Sequence, residues 1–102
     1  MCTPDTEGTA IPTVFIDNQR TRVTEWRFAK QGDNTGWHRH KYDYVVIPTQ
    51  DGTLNIKDAD GRIIPSKLKA DVPYFRAKGV EHDVMNGTDG EFAFVEVEFL
   101  DS

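Results

Sequence analysis

The chain has 102 residues, 37% hydrophobic and 28% charged, which is room for one domain with a modest core and not for two. Seventeen acidic against twelve basic residues give a formal net charge of −5. The lysines and arginines are scattered, leaving no basic stripe for nucleic-acid phosphates and no basic amphipathic helix for a membrane surface.

No run approaches the roughly 20 apolar residues of a membrane span. The N-terminus lacks a basic stretch followed by an apolar one, and the single Cys2 excludes an internal disulfide or a cysteine-based zinc site. A cytoplasmic protein is expected. Residues 1–10 are polar, carry Pro4 and Gly8, and read as a flexible arm ahead of one domain over 11–102.

Pro12 to Ile16 reads as a short strand closed by the turn pair Asp17-Asn18. Arg20 to Ala29 alternates as a strand does, with Thr24, Trp26 and Phe28 on one face and Glu25 and Arg27 on the other. Residues 31–36 are a turn-rich connection. Trp37 to Thr49 reads as one long strand, and Asp51-Gly52 as a hairpin turn into Thr53 to Lys57.

After the turn at 58–61 come Arg62 to Ile64, Lys67 to Lys69, and a strand at Val72 to Phe75, where Pro73 suits an edge or a strand start. His82 to Met85 and Phe92 to Leu100 are the last two strands. No window shows helical periodicity. Short strands with turns every eight to twelve residues or so define an all-β sandwich or barrel.

His38 and His40 are two apart in an expected strand, so their imidazoles leave the same face and can meet one ion. Exposure on the solvent face is the alternative. The wider pattern decides between them. Gly32, five residues, His38-Arg39-His40 and a closing Gly52 resemble the first motif of the cupin superfamily. The stretch from Asp71 to Asn86, with Gly79, His82 and Asn86 at Gly-x-x-His-x-x-x-Asn spacing, resembles the second.

The runs Arg22 to Phe28 and Thr35 to His40 are similar to those of a group of short bacterial cupins associated with β-alanine degradation. This resemblance implies a double-stranded β-helix, or jelly-roll, barrel. It also implies a metal centre of His38, His40 and His82 holding one divalent transition metal among Fe, Ni, Zn, Mn and Cu.

The chain departs from the motifs at Asp71, where glycine is usual, at Ala77, where proline is usual, and at the glutamate ligand. The glutamate slot falls at Tyr44 or Val45, and strand alternation favours Tyr44. Asp43 is the nearest carboxylate, with its parity pointing it away. Three neutral ligands leave the ion's charge uncompensated, so the resemblance implies a centre that takes a small anionic ligand. Three-histidine cupins of this kind include dioxygenases of small oxygenated or sulfur-containing molecules.

Tyr44 is the candidate catalytic residue, hydrogen-bonding a bound water or substrate; filling the barrel is its alternative role. Arg27 is a candidate for a substrate carboxylate if it faces inward, with an exterior position favoured. For the last strand, the reading taken is that Val95, Val97 and Phe99 face inward and Glu96 and Glu98 are solvated. The opposite parity would let the glutamates orient ligand imidazoles. Asn86 is expected to cap the turn before Asp89-Gly90. Trp37, Tyr42, Tyr74 and Phe75 are candidates for the pocket wall, the core or a dimer face.

Three functions stay open: a metal-dependent enzyme, a small-molecule binding module, and a barrel without metal. A homodimer is expected, paired through the edge around Val14 to Ile16.

Overall fold

The computed structural model describes residues 8–101. Nine strands form: β1 (Ile11–Asp17), β2 (Thr21–Phe28), β3 (His38–Arg39), β4 (Asp43–Pro48), β5 (Gly52–Lys57), β6 (Ile63–Leu68), β7 (Tyr74–Arg76), β8 (Glu81–Asn86) and β9 (Phe92–Phe99). They make a five-stranded sheet in the order β1-β2-β9-β4-β7 and a four-stranded sheet in the order β3-β8-β5-β6. Every strand pair is antiparallel. No helix among the described residues is long and apolar enough to cross a membrane.

Alternation sets what lies between the sheets. In β2 the buried residues are Thr24, Trp26 and Phe28, as expected, and they meet Phe92 and Phe94 of β9, Tyr44 and Val46 of β4, and Leu54, Leu68 and Val84 of the other sheet. Across the five-stranded sheet, register stacks the inner residues in levels. Phe28 faces Phe92, Trp26 faces Phe94, Thr24 faces Glu96, and Arg22 faces Glu98. Glu98 is followed across β4 by Tyr44 and across β7 by Arg76. One end of the interior is therefore aromatic and the other carries the ionisable groups.

Several sequence expectations are corrected. Trp37 to Thr49 is not one strand. It divides into β3 and β4, which belong to different sheets, because the chain crosses between sheets after His40. The two short strands expected at Arg62 to Ile64 and Lys67 to Lys69 merge into the single strand β6, Ile63–Leu68, whose Pro65 is tolerated because β6 is an outer edge.

The expected arm over residues 1–10 is described only from Gly8 onward. Residues 1–7, with Cys2, lie outside the described residues. Ala10, by contrast, is buried and donates its N–H to the Asn34 carbonyl at 2.8 Å.

The largest correction concerns β9, where Glu96 and Glu98 are buried while Val95, Val97 and Phe99 are only half-buried. Phe92 and Phe94 occupy the aromatic end, and strand parity carries 96 and 98 to the same face. Both carboxylates find partners there. Arg22 donates to Glu98 through Nε at 2.8 Å and Nη2 at 3.2 Å, and Trp26 Nε1–H donates to Glu96 Oε2 at 3.1 Å.

Asp71 explains one departure from the motif. Its φ is +62°, a left-handed conformation that glycine adopts freely and aspartate tolerates better than a β-branched residue. Its N–H donates to the Pro48 carbonyl at 2.9 Å, tying the β6–β7 connection to β4. In urea unfolding, Asp71→Gly is expected to hold or raise stability, and Asp71→Val to lower it by about 1–2 kcal/mol. Equal losses in both variants would show that the backbone there is not constrained.

A candidate three-histidine centre

Each histidine is placed by a separate local device. His38 and His82 are register partners across β3 and β8, so their side chains leave the same face side by side. His40 lies just past β3 and is held by backbone bonds. Its N–H donates to the Val80 carbonyl at 2.9 Å, and its carbonyl accepts from Gly79 N–H at 2.8 Å. Gly79 makes the second bond with φ +99°, which gives the motif glycine its physical role. The preceding loop is fixed by Asp83, whose carboxylate accepts from Gly36 N–H and the Asn34 amide.

The three rings converge. His40 Nε2 lies 3.1 Å from His38 Nε2 and 3.1 Å from His82 Nε2. His38 Nδ1 lies 2.8 Å from the Gly36 carbonyl. A carbonyl only accepts, so Nδ1 carries the proton and Nε2 presents a bare lone pair. His40 Nδ1 has no hydrogen-bond partner, but the Glu96 carboxylate is 3.5 Å away. With its proton on that side, His40 presents a second bare Nε2.

Lone pairs 3.1 Å apart repel unless a cation or a proton sits between them. Metal–nitrogen bonds of about 2.0–2.1 Å place two ligand nitrogens roughly 3 Å apart. Donor chemistry and spacing are thus both compatible with a metal ion, and the three ligand atoms lie within 4.8 Å of one another.

Burial keeps the rings neutral. His38 is buried and titrates below its usual range for that reason, with the Gly36 bond partly offsetting the shift. His40 is lowered by burial and then by His38 and His82. His82 falls to about 3 through burial, then through His38 and the Arg76 cation. Neutral imidazole is the ligating form.

Tyr44 is buried and stacks on the His40 ring, with centroids 3.8 Å apart and planes 15° apart. Parity thus places it beside the histidines as expected, although the strand that suggested the parity is broken. The three histidines, Tyr44, Tyr74 and Arg76 are among the residues lining a cavity of about 200 Å³.

Arg27 faces outward with Glu25 and Glu91, so it takes no part. Asp43 also stays outside, its Oδ1 accepting from Lys78 N–H. Of the four candidate wall aromatics only Tyr74 lines the cavity; Trp37 and Phe75 are exposed and Tyr42 is half-buried elsewhere. Asn86 caps its turn as expected, accepting from Thr88 N–H and donating to the Gly90 carbonyl; it also ties down Lys30.

Sequence reasoning reached Glu96 only through the strand parity it disfavoured, and missed Arg76 as a member of this site. The signal for Glu96 was the shared parity with Phe92 and Phe94. For Arg76 it was the two-residue spacing from Tyr74.

No protein-family model matches the chain. It is 52% identical over 90 residues to the β-alanine degradation protein BauB of Pseudomonas aeruginosa, an alignment covering 87% of this chain and 92% of that protein. A cupin domain from Bordetella pertussis superposes with a TM-score of 0.83 at 53% identity, covering 88% of this chain and 92% of that one. A cupin superfamily protein from Desulfitobacterium hafniense shares the fold, with a TM-score of 0.69 at 16% identity over 91% of this chain and 79% of that one. The fold is that of a small cupin. Within that superfamily, the chain belongs to the family of short cupins that includes the P. aeruginosa protein.

The lowered histidine pKa values carry a stability consequence. An unfolded histidine titrates near 6.5, whereas His82 in the fold binds its proton only near pH 3. Between these values the unfolded chain holds more protons, so stability present above pH 6.5 is lost as pH falls. Urea midpoints of metal-free protein are expected to drop from pH 7 to pH 4, and to drop less in His82→Gln. An equal slope in the variant would contradict the burial argument.

Proposed function

We propose that this chain is a metal-dependent cupin that binds one divalent transition metal through His38, His40 and His82 and acts as a dioxygenase on a small anionic metabolite. The observation that carries this reading is the convergence of three Nε2 atoms, two of the separations being 3.1 Å. The ion, once bound, would supply Lewis-acid activation and a meeting point for O₂ and substrate. Both oxygen atoms would enter the product, so no external reductant is needed.

The protein's own groups do the rest. The Gly36 carbonyl holds His38 in orientation through its Nδ1, and the Glu96 carboxylate stands 3.5 Å behind His40 Nδ1. Val46, Val84 and Phe94 line the cavity and exclude water. Tyr44, beside His40, holds a proton or a hydrogen bond at the substrate. The cavity of about 200 Å³ is smaller than the roughly 300–1,000 Å³ of sites for drug-sized ligands, which fits a small metabolite. A P. aeruginosa relative carries the name β-alanine degradation protein; from it we carry over only the class, a small metabolite of that kind.

The test begins with elemental analysis of untagged protein. About one metal per chain is expected, and His82→Ala should lose it while remaining folded. Full occupancy in that variant would sink the centre. Iron-loaded protein is then assayed for oxygen uptake against small acids, diketones and thiols. Tyr44→Phe is expected to keep its metal and lose roughly 10²-fold in turnover. Ligands that raise the melting temperature with no turnover in any case would favour a binding module instead.

We also propose pairing of two chains through β1, an outer edge exposing Ile11, Val14, Phe15 and Ile16. Light scattering is expected to give twice the 11.6 kDa chain mass, and a monomer mass would refute it.

A further inference from the structure

Strand β7 is three residues long, yet it carries two groups to the cavity. Register sets Tyr74 opposite Val46 and Arg76 opposite Tyr44, on the inward-facing parity of the sheet. Both line the cavity that the histidines line. The Arg76 guanidinium lies 4.5 Å above the centre of the Tyr74 ring, and its Nη1 donates to the Phe75 carbonyl at 3.0 Å. Those two contacts hold the head group at the mouth and occupy only one face and one of its five N–H donors.

Arg76 is the unusual arginine of its sheet. Arg22 meets Glu98 and Arg27 meets Glu25 and Glu91, whereas no carboxylate among the described residues lies within ion-pair distance of Arg76. A planar cation with a free edge, fixed at the rim of a small cavity, is suited to bidentate capture of a carboxylate. The chain as a whole is net negative at −5, so this local cation is not part of a general basic surface.

We infer that Arg76 is the anion-recognition residue of the cavity, selecting small carboxylic acids whose other end reaches the three histidines. This rests on the metal-centre reading above and narrows it from an anionic ligand to a carboxylate with a second donor atom. The cation–π contact with Tyr74 keeps the guanidinium positioned before the ligand arrives, so less side-chain freedom is lost on binding.

The test uses Co²⁺-loaded wild-type protein, Arg76→Gln and Arg76→Lys, titrated by calorimetry with 3-hydroxypropionate and with its neutral amide. Cobalt content and melting temperature are measured on the same samples. Wild-type protein is expected to prefer the acid over the amide. Arg76→Gln is expected to lose about 10–100-fold in affinity for the acid, with amide binding, cobalt content and melting temperature unchanged. Arg76→Lys should recover part of the loss, because it restores charge without the fork.

Absence of an acid preference in the wild type, or one that survives Arg76→Gln, would overturn the inference. Failure of the metal reading looks different: no cobalt is taken up by any of the three proteins. The acid–amide comparison is then run on metal-free protein and judged by the same criteria.

Discussion

A buried carboxylate has to be answered by a donor, and in this fold two of them lie on one strand. β9 runs between β2 and β4 in the five-stranded sheet, so its inward face is enclosed by both neighbours. Phe92 and Phe94 fill one end of the interior, and parity leaves Glu96 and Glu98 no route to solvent. The fold accommodates them because β2 sets Arg22 directly across from Glu98 and offers the indole of Trp26 to Glu96. Removing Arg22 would take the bidentate cationic partner from the buried Glu98 carboxylate, which is far costlier than losing an exposed pair.

That arrangement alters the electrostatics of the histidine cluster. Three imidazoles alone would give an ion no negative charge. Glu96, 3.5 Å behind His40 Nδ1, supplies one at the back of a ring instead of at the front. A carboxylate that accepts from a ligand histidine's second ring N–H fixes the orientation of that ring. The glutamate that the first motif lacks at Tyr44 thus has a counterpart on β9, reached through His40. Its former place is taken by an aromatic ring stacked on that same histidine.

Much of this was legible in the chain, for reasons that can be named. His-x-His in an extended segment must present both rings on one side, and Gly79, His82 and Asn86 supplied the partner segment. Alternation in β2 marked Thr24, Trp26 and Phe28 as interior. Reasoning failed where a local rule met a tertiary override. Charged residues are expected outside, and that expectation assigned the wrong face to Glu96 and Glu98. Arg22 and Trp26, on a strand distant in sequence, are partners that the burial of these glutamates depends on and that local sequence does not show. Arg76 was illegible because three residues of edge strand carry too little periodicity to assign a face. The break after His40 was hidden because no glycine, proline or change of composition marks the bend at Tyr42 where the chain crosses between sheets.

The level structure of the interior has a further consequence. Phe28 and Phe92 belong to the packed core without lining the cavity, while Arg76 and the histidines line the cavity without belonging to that core. Tyr44, Leu54 and Phe94 belong to both, so cohesion and recognition separate fully only at positions such as Arg76. Tyr74 of the short edge strand β7 packs against that core, but the exposed Arg76 can be exchanged with little effect on the packed aromatics, since sites without shared contacts contribute to stability almost independently. Such a scaffold is evolvable at its mouth: a change at position 76 would redirect which molecule enters, while the packed core continues to hold the two sheets together.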